Sequence, residues 1–407
     1  MNAPMGHRAV PDHVPPERVF PFDFRYDAQI RSDPWGVFHA QNQRPDIYYS
    51  PDLGGYWVIT RTDLIEEVFR RHDLFSNGSV SIPSPPRPQS IPASLDPPEH
   101  TKYRKIMSQK MFSPRAMASL EADVHEISER LLAEFAGQGR CEFISAFARP
   151  LPVGLLLKML GLPEAVRADL IRWARMMFHG QSVAENLEGY QHAFAYLGRW
   201  LDEQLAQPDQ VTGHILPAML EGRVDGRPLT RGEMHSMAMM LMGAGVDTVT
   251  SQMGHVMRFF AERPDQRQLL RERPELIPDA VEELLRRFGI ANIARVAAGD
   301  FEYQGVRFRK GDLVLCCCAI AGLDARTFPD PLAVDFERPG VKAHHRPFGA
   351  GPHVCPGAHL ARVVLRMIIE TLLPRLANLR RAPGAAPEYL SGITVSMTRL
   401  ELEFDPA

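Results

Sequence analysis

Residues 348–357 read Phe-Gly-Ala-Gly-Pro-His-Val-Cys-Pro-Gly and constrain this chain more than any other stretch. Gly349, Gly351 and Gly357 permit tight turns and a close approach of the backbone to a flat ligand. Pro356 lacks a backbone N–H and suits the first turn of a helix. From Ala358 onward, Leu360, Val363, Val364, Met367 and Ile368 recur at helical spacing. The stretch therefore predicts a glycine-rich loop that delivers one cysteine, Cys355, to the start of a helix. A thiolate there is stabilised by unpaired N–H groups and by the helix dipole. Such a sulfur suits a soft metal or the iron of a haem; a buried structural cysteine is the plain alternative.

A second constraint begins at Thr230. Thr230 and Glu233 have capping-box spacing, and the Met-rich run that follows predicts a helix to about Glu262, before Pro264. That length is on the order of 48 Å, enough to cross a whole domain. A helix apolar on most sides is buried. Gly243, Ala244 and Gly245 at its middle leave a bare surface on which a flat ligand can lie. Asp247 is costly in such surroundings unless it is paired or works. Thr248 beside it can also simply bond back to a carbonyl of its own helix.

Two further pairs have helical spacing. His100 and Arg104 follow Pro97 and Pro98 and lie four apart on one face, and Glu283 and Arg286 lie three apart. Either pair alone also suits an ordinary exposed face. Short strands are expected near residues 47–49 and 54–60, a helix over 61–71, and a long Pro- and Ser-rich loop over 76–94. Residues 211–232 read as a connector with a turn near 224–227, and residues 391–394 as a turn.

The chain has 407 residues, is 45% hydrophobic and carries a net charge of −3, so it can bury a large core and has no basic excess for nucleic acid. Five cysteines, three of them adjacent at 316–318, do not form a disulfide framework and fit a reducing cytoplasm. Residues 1–20 read as a loose polar arm, with no apolar run of about 18 residues. Residues 125–129 lack the second histidine of a zinc motif, and neither Gly-Ala-Gly run has the third glycine of a nucleotide fingerprint.

The pattern Phe348, Gly351, His353, Cys355, Gly357 resembles the haem-binding loop of the cytochromes P450. Ala244-Gly245-Val246-Asp247-Thr248 resembles that family's distal-helix motif, and Glu283 with Arg286 its Glu-x-x-Arg motif, in the expected order. The resemblance runs over nearly the whole chain and is similar in detail to the camphor 5-monooxygenase type. It implies one domain over residues 1–407, mainly α with small β-sheets. Haem b would lie between the long helix and the Cys-loop helix, with Cys355 as its iron ligand. It further implies that His100, Arg104, Arg295 and His353 hold the haem propionates, and that Phe348, Gly349, Gly357, Ala244 and Gly245 lie against the haem. Asp247 and Thr248 would serve proton relay and oxygen activation, and Glu283 and Arg286 structural support, with Arg338 as third partner.

The expected substrate pocket comprises Ser81, Ser90, Met240, Gly243, Ala291, Ile293, Ile393 and Thr394. It departs from the camphor type. Arg87-Pro88-Gln89-Ser90 contains no tyrosine to hold a ketone, and Gly243 and Ile293 stand where that type has a bulkier apolar residue and an aspartate. A larger, more apolar pocket is expected, suited to a terpenoid or a norisoprenoid such as an ionone. The resemblance implies a monooxygenase fed by a separate 2Fe–2S ferredoxin and an NAD(P)H-dependent ferredoxin reductase. Arg104 and Arg362 would help the ferredoxin dock. The protein would be cytoplasmic, monomeric and not membrane-bound. A peroxygenase, a haem-thiolate isomerase and a haem-thiolate sensor are the alternatives.

Overall fold

The strand near residues 47–49 forms over Ile47–Ser50 and pairs antiparallel with Tyr56–Ile59 in the computed structural model, which describes residues 9–84, 89–180 and 182–406. Both strands are rich in β-branched and aromatic residues and are buried throughout, as befits strands covered on both faces. The reversal between them needs left-handed backbone, supplied by Gly54 and Gly55 and, at a steric cost, by Leu53. Leu313–Cys317 lies parallel beside Tyr56–Ile59, Asn292–Ala297 pairs antiparallel with it, and the two-residue strand Phe75–Ser76 completes a five-stranded sheet. Among the described residues, a three-stranded sheet and three hairpins make up the other sheets.

Everything else of size is helical. The long helix spans Arg231–Glu262 and starts with the full capping box: Thr230 accepts from the Glu233 N–H, and the Glu233 carboxylate accepts from the Thr230 N–H. The helix joins two hydrophobic cores. Met234, Met237, Met242 and Val246 pack into a helical core with Leu160, Trp173 and Leu197. Met253, Val256, Met257 and Phe260 pack into a second core with the large sheet and the helix after Cys355. Ala244 and Gly245 are exposed. The bare stretch thus falls near the end of the helical core, just before Val246.

Three expectations need correction. Residues 9–20 are not a loose arm: Val14 is buried, His13 bonds Asp312 at 2.9 Å, and Val19 bridges Tyr49. The connector at 211–232 contains a helix, Ile215–Glu221, whose Ile215, Leu216 and Met219 are buried, ahead of a hairpin turning at Asp225 and Gly226. Pro356 is not in the first helical turn; the helix is Ala358–Met367, with Gly357 as its N-cap residue. Among the described residues, no helix is long and apolar enough to cross a membrane.

Candidate functional site

The loop before the helix Ala358–Met367 is built on two left-handed glycines, Gly349 and Gly351, with φ of 71° and 70°. Gly351 faces protein, not a ligand: a Cβ there would meet the Phe69 carbonyl at 2.9 Å and Arg70 Cα at 3.0 Å. Gly349 is different, since a Cβ on it would meet nothing within 4 Å. The Cys355 N–H closes the loop on the Phe348 carbonyl at 3.0 Å. Cys355 is free and exposed on one side. The protein packed around it pushes its thiol pKa up, against the Gly357 N–H and the charges of Arg104 and Arg362.

Four basic side chains converge here, three from two other elements of the fold and one from the loop itself. His100 and Arg104 stand on the helix Glu99–Ile106, Arg295 on the strand Asn292–Ala297, and His353 in the loop itself. The His100 and His353 rings lie 3.8 Å apart, and the Arg295 guanidinium covers the Phe69 ring at 4.8 Å. Three buried donor atoms, His100 Nδ1, Arg295 Nε and His353 Nε2, have no hydrogen-bond partner. Burial drives the His100 pKa down to about 4 and, with the His100 charge, that of His353 to about 3. Asp96 is an acid whose charge reaches His100, Arg295 and His353, and it already accepts from Ser76 and Asn77. Two arginines beside two imidazoles with unpartnered ring nitrogens suit carboxylates, whose charge would also favour protonation of the rings. The chemistry of a haem, with two carboxylates on one edge and a soft sulfur ligand below its iron, fits this donor set. Arg104 also donates to the Val354 carbonyl at 2.5 Å, which ties its helix to the cysteine loop.

On the long helix, a Cβ at Gly245 would meet nothing within 4 Å, and one at Gly243 would touch Phe178 Cζ at 3.7 Å. The Thr248 hydroxyl donates back to the Ala244 carbonyl at 2.7 Å. Asp247 is buried and fully engaged. His179 Nε2 lies 2.6 Å from its Oδ1, while the hydroxyls of Thr394 and Ser396 donate to Oδ2, Ser396 at 3.1 Å. Burial pushes this carboxyl up, but the His179 charge and the three hydrogen bonds outweigh it and lower the pKa.

Thr394 is therefore corrected: its hydroxyl is spent on Asp247 rather than offered to a pocket. Ser81 is corrected likewise, because it is buried and donates to the Pro83 carbonyl at 3.1 Å. Ser90 contributes its backbone, with its N–H on Ser94 Oγ at 2.8 Å, while Ser236 of the long helix pins Gln89 and Ile91 on either side. Ala291 bridges Thr394, and the Ile393 carbonyl accepts from the Asn292 N–H, so the 391–394 turn packs against the strand carrying half-buried Ile293. Met240 packs at the edge of the helical core. Arg87 and Pro88 lie outside the described residues.

The pair of Glu283 and Arg286 is buried and bidentate, at 2.7 Å for both bonds, and Arg338 joins Glu283 at 3.1 Å. Arg286 also donates to the carbonyls of Gly322, Pro331 and Ala333, which pins the segment leading to the cysteine loop. Arg362 pairs with Glu282 at 2.6 Å and covers the Phe348 ring, so its charge is shared with a carboxylate beside the cysteine loop. His179, Ser251 and Ser396 were missed. A histidine at a helix end and two serines, 72 to 217 residues apart in the chain, carry no local signal that His179 and Ser396 meet the Asp247 carboxylate and Ser251 its main-chain carbonyl.

A profile of the family described as Cytochrome P450 matches residues 191–379. The chain is 33% identical to mycinamicin IV hydroxylase/epoxidase of Micromonospora griseorubida, over 80% of this chain and 83% of that protein. It is 32% identical to vitamin D(3) 25-hydroxylase of Pseudonocardia autotrophica, over 82% and 83%. Among solved structures, cytochrome P450 CYP101C1 superposes with a TM-score of 0.88 at 30% identity, covering 98% of this chain and all of that one.

Proposed function

This chain belongs to the cytochrome P450 family, and on that premise we propose that it hydroxylates a small apolar cyclic molecule of the terpenoid or norisoprenoid class, such as an ionone. It is a monooxygenase whose cofactor is haem b. The bound haem supplies one-electron and oxygen chemistry, with the thiolate ligand increasing electron density at the iron. In our reading Cys355 is that ligand. His100, Arg104, Arg295 and His353 hold the propionates, with Phe348, Gly349 and Gly357 on the sulfur side and Ala244 and Gly245 on the other. Thr248 would offer its hydroxyl to oxygen there, and Asp247 would bring protons to it. The acid and alcohol together favour use of O2 over a peroxygenase, an isomerase or a sensor.

The observation that carries the substrate reading is the loss of polar handles. Ser81 and Thr394 turn their hydroxyls to the protein, Ile293 is apolar, and Gly243 removes side-chain volume. A pocket lined this way binds by shape and apolar area, and offers a ketone no donor. The relatives' names cover mycinamicin and vitamin D3, so identity near a third carries the reaction while the pocket decides the substrate. Electrons come, in this proposal, from a separate 2Fe–2S ferredoxin and its NAD(P)H-dependent reductase.

A spin-state titration of the ferric protein tests the substrate class. Ionone-like rings are expected to shift the Soret band strongly and camphor weakly. A full shift with camphor, or no shift with any cyclic terpenoid, overturns the class. Turnover reconstituted with a 2Fe–2S ferredoxin tests the electron donor.

A further inference from the structure

The two oxygens of Asp247 are treated differently. Oδ2 accepts from two hydroxyls, Thr394 and Ser396, while Oδ1 faces His179 Nε2 at 2.6 Å. A third hydroxyl, Ser251, lies 3.0 Å from Ser396 Oγ and donates to the Asp247 main-chain carbonyl at 2.7 Å. Each hydroxyl has one proton. Two are committed to Oδ2 and one to the carbonyl, so the hydroxyl side holds the carboxylate without a proton to spare. The Oδ1 side differs, because its partner is an imidazole.

His179 ends the helix Arg167–His179, and its side chain is 12% exposed against 7% for Asp247. Other charged groups surround the pair. Arg149, before the helix Pro150–Leu160, feels the Asp247 charge, with Glu142 and Arg175 near it, and Arg175 pairs with Glu185 at 3.3 Å. The arginines keep their protons at any working pH. Neither glutamate is a hydrogen-bond partner of Asp247 in the structure. Histidine is the residue type that both gives and takes a proton near neutrality.

We propose that His179 supplies the protons that Asp247 passes on, as a positioning residue acting through that carboxylate; this rests on the role proposed above for Asp247. In the step, the Nε2–H bond of the imidazolium breaks as an O–H bond forms on Asp247 Oδ1. The carboxylate becomes a carboxylic acid, the ring becomes neutral, and solvent reprotonates the ring. No electrons are transferred.

The test uses the haem-loaded protein as wild type, His179→Gln and His179→Arg. The split of reducing equivalents between product and hydrogen peroxide is followed from about pH 6 to about pH 8.5. Wild-type coupling to product is expected to fall about threefold across that range as fewer protons reach Asp247 through His179. His179→Gln should release about threefold more peroxide at low pH and show a flat profile. His179→Arg restores charge but holds its proton throughout this pH range and should also be flat. Infrared difference spectra of the resting protein between the two pH limits should carry an imidazole signal that disappears in His179→Gln. A wild-type pH profile in either variant, or an unchanged infrared difference, overturns the proposal. Asp247→Asn separates the two readings. If it leaves coupling intact, the role of Asp247 falls; if it uncouples while His179→Gln does not, only the role of His179 falls.

Discussion

Thr394 shows how one hydroxyl is shared between packing and chemistry. Its backbone belongs to the turn beside Ile293, and its side chain reaches Asp247. A buried carboxylate stays ionised only if its lone pairs are met. Removing one donor leaves part of that charge unsatisfied, at about 1–3 kcal/mol. Thr394→Val, which keeps the shape, is expected to lower the urea midpoint and to divert electrons from product to peroxide, because Oδ2 then has one donor instead of two. Thr394→Ser should recover both. If Thr394→Val alters substrate affinity alone, the hydroxyl serves the pocket after all. Gly351 makes a different point at the same scale: the left-handed backbone and the contact with residues 69 and 70, not a ligand, demand glycine there.

The long helix works as an element because its two halves are held by different cores. Two glycines in a helix interior cost about 1 kcal/mol each relative to alanine, yet the helix runs unbroken through them. Burial of the Met-rich half and of the Phe259 and Phe260 half offsets that cost. The capping end is also a junction, since Glu233 takes hydrogen bonds from Tyr103 at 2.6 Å and Arg227 at 2.7 Å as well as from the Thr230 backbone. It thereby fixes the helix that carries His100 and Arg104. Thr230→Ala is expected to cost about 0.5–2 kcal/mol, read as a lower urea midpoint, and to weaken haem retention in proportion. Loss of stability with unchanged haem retention would disconnect the cap from the site.

At the scale of the molecule, buried histidines make stability depend on pH. His255 lies among Trp35, Phe288 and Tyr389, with Nε2 on the Val395 carbonyl at 2.8 Å, and burial lowers its pKa to about 4. The unfolded chain carries this histidine near pKa 6.5. Between those values the unfolded state binds more protons, so the contribution is complete above about pH 6.5 and is lost as pH falls towards 4. His214 and His235, also lowered by burial, act with the same sign. Urea midpoints are therefore expected to drop between about pH 7 and about pH 5, and His255→Gln should reduce that drop. A pH-independent midpoint would contradict the buried neutral ring. The Glu283, Arg286 and Arg338 network acts at this scale too, because it joins the segment around residues 322–338 to the core; removing one partner of such a buried set costs about 3–5 kcal/mol.

What the sequence determined by itself was whatever a short window encodes. The glycine and cysteine spacing at 348–357, the capping box at Thr230 and Glu233, the three-residue step from Glu283 to Arg286 and the strand near 47–49 are all local patterns. Local geometry produces them wherever the chain goes. The family resemblance extended that reach, because it rests on several such windows in order. Only the tertiary structure decided which donors meet which acceptors. His179, Thr394 and Ser396 come from a helix end, a turn and a strand; they converge on Asp247 because the helix Arg167–His179 and the 395–399 strand both pack on the long helix. The same holds for Ser81 and Arg362, whose polar ends went to a loop carbonyl and to Glu282. A buried polar atom must find a partner within about 3 Å, and which atom lies that close is a property of packed elements, not of any stretch of chain.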